Sequence, residues 1–247
     1  MEENIDCETE TIVNFAKEFS GANETYPTYH IDSPQRVKEY VKKANEITRY
    51  VPRGKILDWG CGYGQMFFLL HKRGIKVTGC ELSNHYRCGN LVDSLGLDVI
   101  FLSDSESLPF EDGVFDAVLS CGVLEHVGDI NVSLKEISRV LKVGGFFFLY
   151  NFPNRFSWTE FVSRHMLNKG HEKLFGLNKS IEKLRGYGLT TIKSCYDSFL
   201  PLKLGFMNNR LRSVVDFPLY HVVDNFLARI PLTKYFCQNI TLICRKL

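Results

Sequence analysis

The sequence predicts a doubly wound α/β fold, and three observations carry that expectation. Short apolar runs alternate with segments of helical period from residue 55 to residue 151. Those runs suit strands of a parallel sheet buried on both faces. The first run, KILD, passes into a glycine-rich turn, GCGYG, that opens an apolar helix, as where backbone must approach a ligand closely.

Each element can be justified in turn. Residues 35–48, QRVKEYVKKANEIT, set Val37, Tyr40, Val41 and Ala44 at helical spacing, with Ser33 as N-cap and Pro34 at the first helical position. The alternation then runs strand 55–58, helix 65–73, strand 76–80, helix 85–94, strand 98–102, strand 115–120, helix 132–141 and strand 145–151. Beyond Asn151 the rhythm changes to Lys- and His-bearing helices, a strand near 189–194 and a last strand at 240–244. The connection between those two, about 200–238, is too apolar for a plain loop.

Composition bounds the class. The 247 residues are 45% hydrophobic and 23% charged, which suits a globular chain with a substantial core and argues against wholesale disorder. Net charge is +2, but residues 1–150 carry 15 Lys/Arg against 22 Asp/Glu, while residues 151–247 carry 15 against 6. The basic part suits an anionic acceptor, an anionic lipid surface or a solvated lysine-rich face. Eight scattered cysteines with no C-x-x-C and no paired histidines indicate neither a zinc site nor a disulfide framework, and fit thiols in a reducing cytoplasm. Residues 1–10 are acidic without an apolar h-region, and no stretch nears 18 uninterrupted apolar residues, so secretion and membrane spanning are not expected.

The chemistry concentrates at ILDWGCGYGQ, residues 56–65. Glu81 ends the next strand, where a carboxylate can accept hydrogen bonds from both ribose hydroxyls of an adenosine. A dinucleotide turn would need its third glycine where Gln65 stands, and Asp58 beside the turn would repel a pyrophosphate. A cationic, phosphate-free ligand suits the segment better.

At this point the segment resembles motif I of class I S-adenosylmethionine-dependent methyltransferases, small-molecule branch, in which the acidic residue sits two before the first glycine of a G-x-G-x-G turn. Further matches run over residues 50–152: Asp104-Ser105, Leu108-Pro109-Phe110, Phe115-Asp116-Ala117-Val118, Leu124-Glu125-His126-Val127 and Leu141-Lys142-Val143-Gly144-Gly145. The resemblance implies a Rossmann-like, mostly parallel seven-stranded sheet with an antiparallel last strand and a helical cap. It implies S-adenosyl-L-methionine as cofactor, with Asp58, Gly60, Cys61, Gly62, Gly64, Gln65, Glu81 and Leu82 among its binding residues, Gly60 and Gly62 lining the methionine and ribose. By the same resemblance Asp104 binds the adenine amine with Ser105 beside it, and Cys121 and Gly122 flank the cofactor. His30-Ile31-Asp32-Ser33-Pro34-Gln35-Arg36 is similar to the opening segment of quinone-biosynthesis O-methyltransferases, which makes Arg36 a candidate for the cofactor carboxylate. The organisation expected is a helical N-terminal segment, 1–50, a cofactor-binding core, 51–152, and residues 153–247 for acceptor-side helices, cap insertion and the last two strands of the same domain.

Methyl transfer is an in-line displacement at a carbon already activated by a sulfonium, so alignment and water exclusion are the main tasks and no metal is obligatory. A hydroxyl acceptor adds the need for a base, for which His126, after the fourth strand, is the first candidate, with His165 and His171 secondary. Asn151, Asn154 and Trp158 are expected to line the acceptor side. The stretch 206–230 mixes Arg210, Arg212 and Arg229 with Leu, Val and Phe, and reads as two short amphipathic helices broken at Pro218: a cap that packs on the domain or a partner, or leans on a membrane. The leading function is O-methylation of a small molecule, quinone-like, sugar or lipid-linked sugar. N-methylation of an amine and a non-catalytic cofactor-binding subunit are the alternatives. A nucleic-acid acceptor is disfavoured, because no Asn-Pro-Pro-Tyr-type motif for a flipped base occurs. Oligomeric state does not follow from the sequence.

Overall fold

The computed structural model describes residues 2–22, 28, 30–82, 90–93, 95–96, 99–166, 170–201 and 217–247. Seven strands form one sheet in the order β3-β2-β1-β4-β5-β7-β6. They are β1 (Lys55–Trp59), β2 (Lys76–Leu82), β3 (Val99–Leu102), β4 (Phe115–Cys121), β5 (Leu141–Pro153), β6 (Leu189–Asp197) and β7 (Asn239–Lys246). Strands β1 to β5 pair in parallel, and β7 runs antiparallel between β5 and β6. The doubly wound sheet with an antiparallel last strand is the architecture expected from the sequence.

The helices are α1 (Glu2–Ala22), α2 (Pro34–Tyr50), α3 (Gln65–Lys72), α4 (Asn90–Asp93), α5 (Ile130–Val140), α6 (Trp158–Met166), α7 (Leu177–Arg185) and α8 (Pro218–Leu227). Helix α2 starts where the sequence places it, with Pro34 in its first turn, although the Ser33 hydroxyl makes no capping bond. Helix α1 lies within the helical N-terminal segment expected over residues 1–50, ahead of the helix read at 35–48. Its polar, acid-rich surface hides an apolar stripe of Ile12, Val13, Phe15, Ala16 and Phe19, which packs with α2 and α3 on one sheet face.

Two apolar layers sandwich the sheet. One joins α1, α2 and α3 to Ile56, Ala117, Leu119, Phe148 and Tyr150; the other joins α5 and α7 to Leu57, Val118, Phe147, Leu149 and Leu242. Alternate residues of β1, β4 and β5 thus face opposite layers, as the two-sided apolar strands require. Of the expected helix 85–94, residues 90–93 are helical and 85–89 and 94 lie outside the described residues. The same holds for 202–216, including Arg210 and Arg212. Helix α8 begins at Pro218, where a chain break was expected.

Candidate functional site

The site assembles at the carboxyl ends of β1, β2, β4 and β5, where the strand order reverses between β1 and β4. Past Trp59 the chain turns tightly, and the amides of Gly60 and Cys61 both donate to the Cys80 carbonyl, at 2.9 and 3.1 Å. Gly60, Gly62 and Gly64 all hold left-handed φ, at 69°, 55° and 77°. At Gly60 a Cβ would also lie 2.6 Å from a Val123 methyl carbon, so the loop after β4 closes against the turn. Over Gly62 a Cβ would meet only the Gly60 carbonyl, at 4.0 Å, which leaves backbone facing open space. Gly64 then starts α3.

Two buried carboxylates end β1 and β2. Glu81 accepts from the Gly62 amide at 2.9 Å and from the Leu82 amide at 2.8 Å. Asp58 has one carboxylate oxygen, Oδ2, without a hydrogen-bond partner among the described residues. Burial, then the nearby Glu81 charge, pushes its carboxyl up to about 7, against the opposing pull of the Phe67 amide. The Gln65 side-chain oxygen and the Ser120 hydroxyl are likewise buried without a protein partner. Such groups cost free energy unless a ligand satisfies them.

Around this centre, Arg36 is buried at the start of α2 with its guanidinium 3.1 Å from Asp32. Cys121 ends β4, its thiol pushed up to about 11 chiefly by burial, and its sulfur accepts from the Asn151 amide at 3.3 Å. Gly122, at φ 73°, donates its N–H to the Tyr150 carbonyl. Asp104 and Ser105 follow β3. The Asp104 carboxylate is exposed and accepts from the amides of Glu106, at 2.8 Å, and Ser107, at 2.6 Å; those bonds, Glu106 first, hold it below the usual carboxylate range.

The acceptor side departs from the sequence-based expectation in detail. Asn151 holds a left-handed φ of 57° where β5 breaks register with β7, and its side-chain Oδ1 accepts from Lys43 at 2.7 Å. Lys43, which the sequence did not single out, also lies over the rings of Tyr40 and Tyr150. Asn154 is fully buried, and both its N–H groups go to backbone, to the carbonyls of Tyr235 and Cys237 at 2.9 Å each. Its oxygen accepts from the Phe156 amide. Asn154 therefore pins the cap, and its amide donors are not presented to an acceptor. Trp158, the first residue of α6, donates its indole N–H to the Phe199 carbonyl at 2.8 Å, a second tie to the segment after β6.

The histidines separate into two groups. His165 is exposed, stacked on Phe161 and bonded to the Phe161 carbonyl. His126 and His171 instead come together, ring centroids 5.5 Å apart. Buried Glu125 lies beside them, its carboxylate 3.9 Å from His126 Nε2 and 3.7 Å from where a Cβ on Gly122 would stand. Buried Glu160 of α6 backs His171, accepting from its amide at 2.7 Å and lying 3.1 Å from its Nδ1. Arg164 sits 3.4 Å from the same carboxylate and donates to the His171 carbonyl. A carboxylate on Nδ1 leaves Nε2 as the basic atom.

The sheet order is that of the Rossmann-like methyltransferase fold. Residues 57–149 match the family model described as "Methyltransferase domain". The chain is 32% identical over 160 residues to the sarcosine/dimethylglycine N-methyltransferase of Halorhodospira halochloris, covering 62% of this chain and 57% of that protein. It is 34% identical over 100 residues to the sterol 4-C-methyltransferase strm-1 of Caenorhabditis elegans, covering 38% and 30%. Each match thus spans about half or less of its relative's length. In fold the chain resembles the 1,6-didemethyltoxoflavin-N1-methyltransferase of Burkholderia thailandensis, solved with S-adenosylhomocysteine, at a TM-score of 0.56 and 18% identity over 84% of this chain and 78% of that one.

Proposed function

We propose that this chain is an S-adenosyl-L-methionine-dependent methyltransferase acting on a small-molecule acceptor. The carrying observation is Asp58: a buried carboxylate with an orphaned oxygen beside open glycine backbone is the chemistry that receives an ammonium. Glu81 would accept from the ribose hydroxyls, Asp104 and Ser105 would hold the adenine amine, and Arg36 would face the cofactor carboxylate. Gly60, Cys61, Gly62, Gly64, Gln65 and Leu82 would line the methionine and ribose, with Cys121 and Gly122 flanking. The cofactor, when bound, supplies a methyl group on a sulfonium. The family match to residues 57–149 supports the reading, as does the S-adenosylhomocysteine in the Burkholderia thailandensis enzyme. Titration calorimetry with S-adenosylhomocysteine tests it: micromolar binding that Asp58→Ala removes is expected, and no binding by the intact chain would overturn it.

The acceptor reading we favour is a hydroxyl. An O-methyltransferase must take a proton from its acceptor, and His171, backed by a buried carboxylate, with His126 beside it, offers a group suited to that task. The alternative, an amine acceptor, draws on the names of the Halorhodospira halochloris and Burkholderia thailandensis enzymes. Transfer of labelled methyl groups to panels of phenols, sugars and amines, compared between the intact chain and His171→Ala, separates the two. A large loss on the acceptor supports the hydroxyl reading, and an unchanged rate supports the amine.

We also propose that the cap gives peripheral contact with an anionic membrane. Leu219, Val222, Val223 and Phe226 of α8 are exposed, as are Phe217, Leu232, Tyr235 and Phe236, with Arg229 and Lys234 among them. No described helix is long and apolar enough to cross a membrane. A patch of exposed apolar side chains with interspersed cations suits the interface between headgroups and acyl chains.

A further inference from the structure

We infer that Glu125, His126 and His171 form a binding site for a divalent transition-metal ion. One ligand atom from each lies within 4.8 Å of the other two. Metal–nitrogen and metal–oxygen bonds of about 2.0–2.2 Å put neighbouring ligand atoms roughly 3 Å apart. Closing the triad therefore takes shifts of about an ångström, and the His126 side chain is 64% exposed. Two imidazoles and one carboxylate suit Zn, Fe, Co or Mn better than the all-oxygen preference of Ca or Mg.

The second observation is the group behind the ligand. Glu160 is buried and holds His171 by both its amide and its Nδ1. That arrangement fixes the ring and turns Nε2 outward as the lone-pair atom, the carboxylate–histidine pairing that supports metal ligands. The third is position. Glu125 lies against Gly122, on the loop that follows β4 at the switch point, so an ion held there would border both the glycine-turn ligand and the acceptor side. No sequence spacing announces the triad, because His171 lies 45 residues from His126 and only the fold brings their rings together.

The existence of the site is independent of the methyltransferase reading, whereas its role rests on it. With the ion bound, an acceptor hydroxyl on it would release its proton to water and present an oxygen nucleophile, whereas in the metal-free chain His171 would take that proton as the base described above. Three protein ligands leave open positions for such an oxygen.

The test uses the full chain, stripped of metal and titrated with Co²⁺ by visible absorption and with Zn²⁺ and Mn²⁺ by calorimetry. One ion per chain is expected, with intense Co²⁺ bands. His171→Ala and Glu125→Gln should weaken binding at least 100-fold, Glu160→Gln by 10–100-fold, and His165→Ala should change nothing. Circular dichroism of each variant shows that it is folded, and Glu160→Gln, which keeps shape and volume, carries the test if either ligand variant fails to fold. Absence of 1:1 binding by all three ions, or binding that survives both His171→Ala and Glu160→Gln, would overturn the site. S-adenosylhomocysteine titrated into the same samples keeps the two readings apart: loss of either binding leaves the other standing.

Discussion

His171 Nδ1 lies 3.1 Å from the carboxylate of Glu160, and that carboxylate is buried and also holds the His171 amide. The imidazole is thereby held before any acceptor arrives, with its ring beside that of His126. Such positioning is worth most where it fixes a tautomer, because the wrong tautomer presents a proton in place of a lone pair.

Glu160→Gln should therefore lower kcat for methyl transfer roughly 10- to 100-fold with little change in the KM for S-adenosylmethionine. Steady-state kinetics with each substrate varied in turn check this. An equal rise in both KM values with kcat intact would instead mark Glu160 as a general support of the fold.

Asp58 makes the ligand-free chain sensitive to pH. Its carboxyl is raised in the folded chain, to about 7, so between the usual carboxylate range and pH 7 the folded state binds more protons than the unfolded state. Stability should fall as pH rises through that window, by at most roughly 1.4 kcal/mol per pH unit from this group, and level off above it. Asp58→Asn should flatten the slope in chemical denaturation. Because an ammonium favours the ionised carboxylate, affinity for S-adenosylhomocysteine should rise with pH from 6 to 8 in the intact chain, more steeply than in Asp58→Asn.

Gly60→Ala combines a left-handed φ with a Cβ placed 2.6 Å from Val123. The expected loss is about 1–3 kcal/mol of stability, together with most cofactor affinity. Adding Val123→Ala relieves the steric part alone, so the double variant should recover part of the loss in thermal unfolding. Full recovery would mean that φ at this position carries no cost.

Asn154→Ala removes both amide bonds to the carbonyls of Tyr235 and Cys237. Leaving the buried Cys237 carbonyl and the half-buried Tyr235 carbonyl unpaired should cost about 1–3 kcal/mol and raise proteolysis near residues 235–238, with S-adenosylhomocysteine affinity unchanged. A fall in acceptor affinity without loss of stability would return Asn154 to acceptor binding.

The exposed face of α8 should bring the chain to anionic vesicles in flotation, and Val222→Glu with Phe226→Glu should release it. Equal flotation by the double variant, or none by the intact chain, would remove the membrane contact. A concentration-dependent dimer in sedimentation, lost in the same variant, would assign the face to a second copy.

What the sequence made legible is what strand and turn chemistry write locally. Strands β1 to β7 follow from apolar runs, and the left-handed Gly60, Gly62 and Gly64 from a turn that only glycine fits. The contacts it concealed are those between distant segments. Helix α1 carries its stripe inside an acidic surface, Asn154 reads as a polar loop residue until the Tyr235 and Cys237 carbonyls are beside it, and Lys43 meets Asn151 from the opposite end of the core. Glu160 and His171 are eleven residues apart, a spacing no helical or strand period links.

The antiparallel β7 has a consequence for how the chain is made. It sits between β5 and β6, so a ribosome that has synthesised residues 1–238 holds an outer strand, β6, with no neighbour to pair with. The parallel part can form its hydrogen bonds as it emerges, but the sheet closes only when residues 239–246 insert between two strands already present. Until then the open edges of β5 and β6 are exposed templates, which makes this stretch of synthesis the period when the nascent chain is most open to wrong pairing.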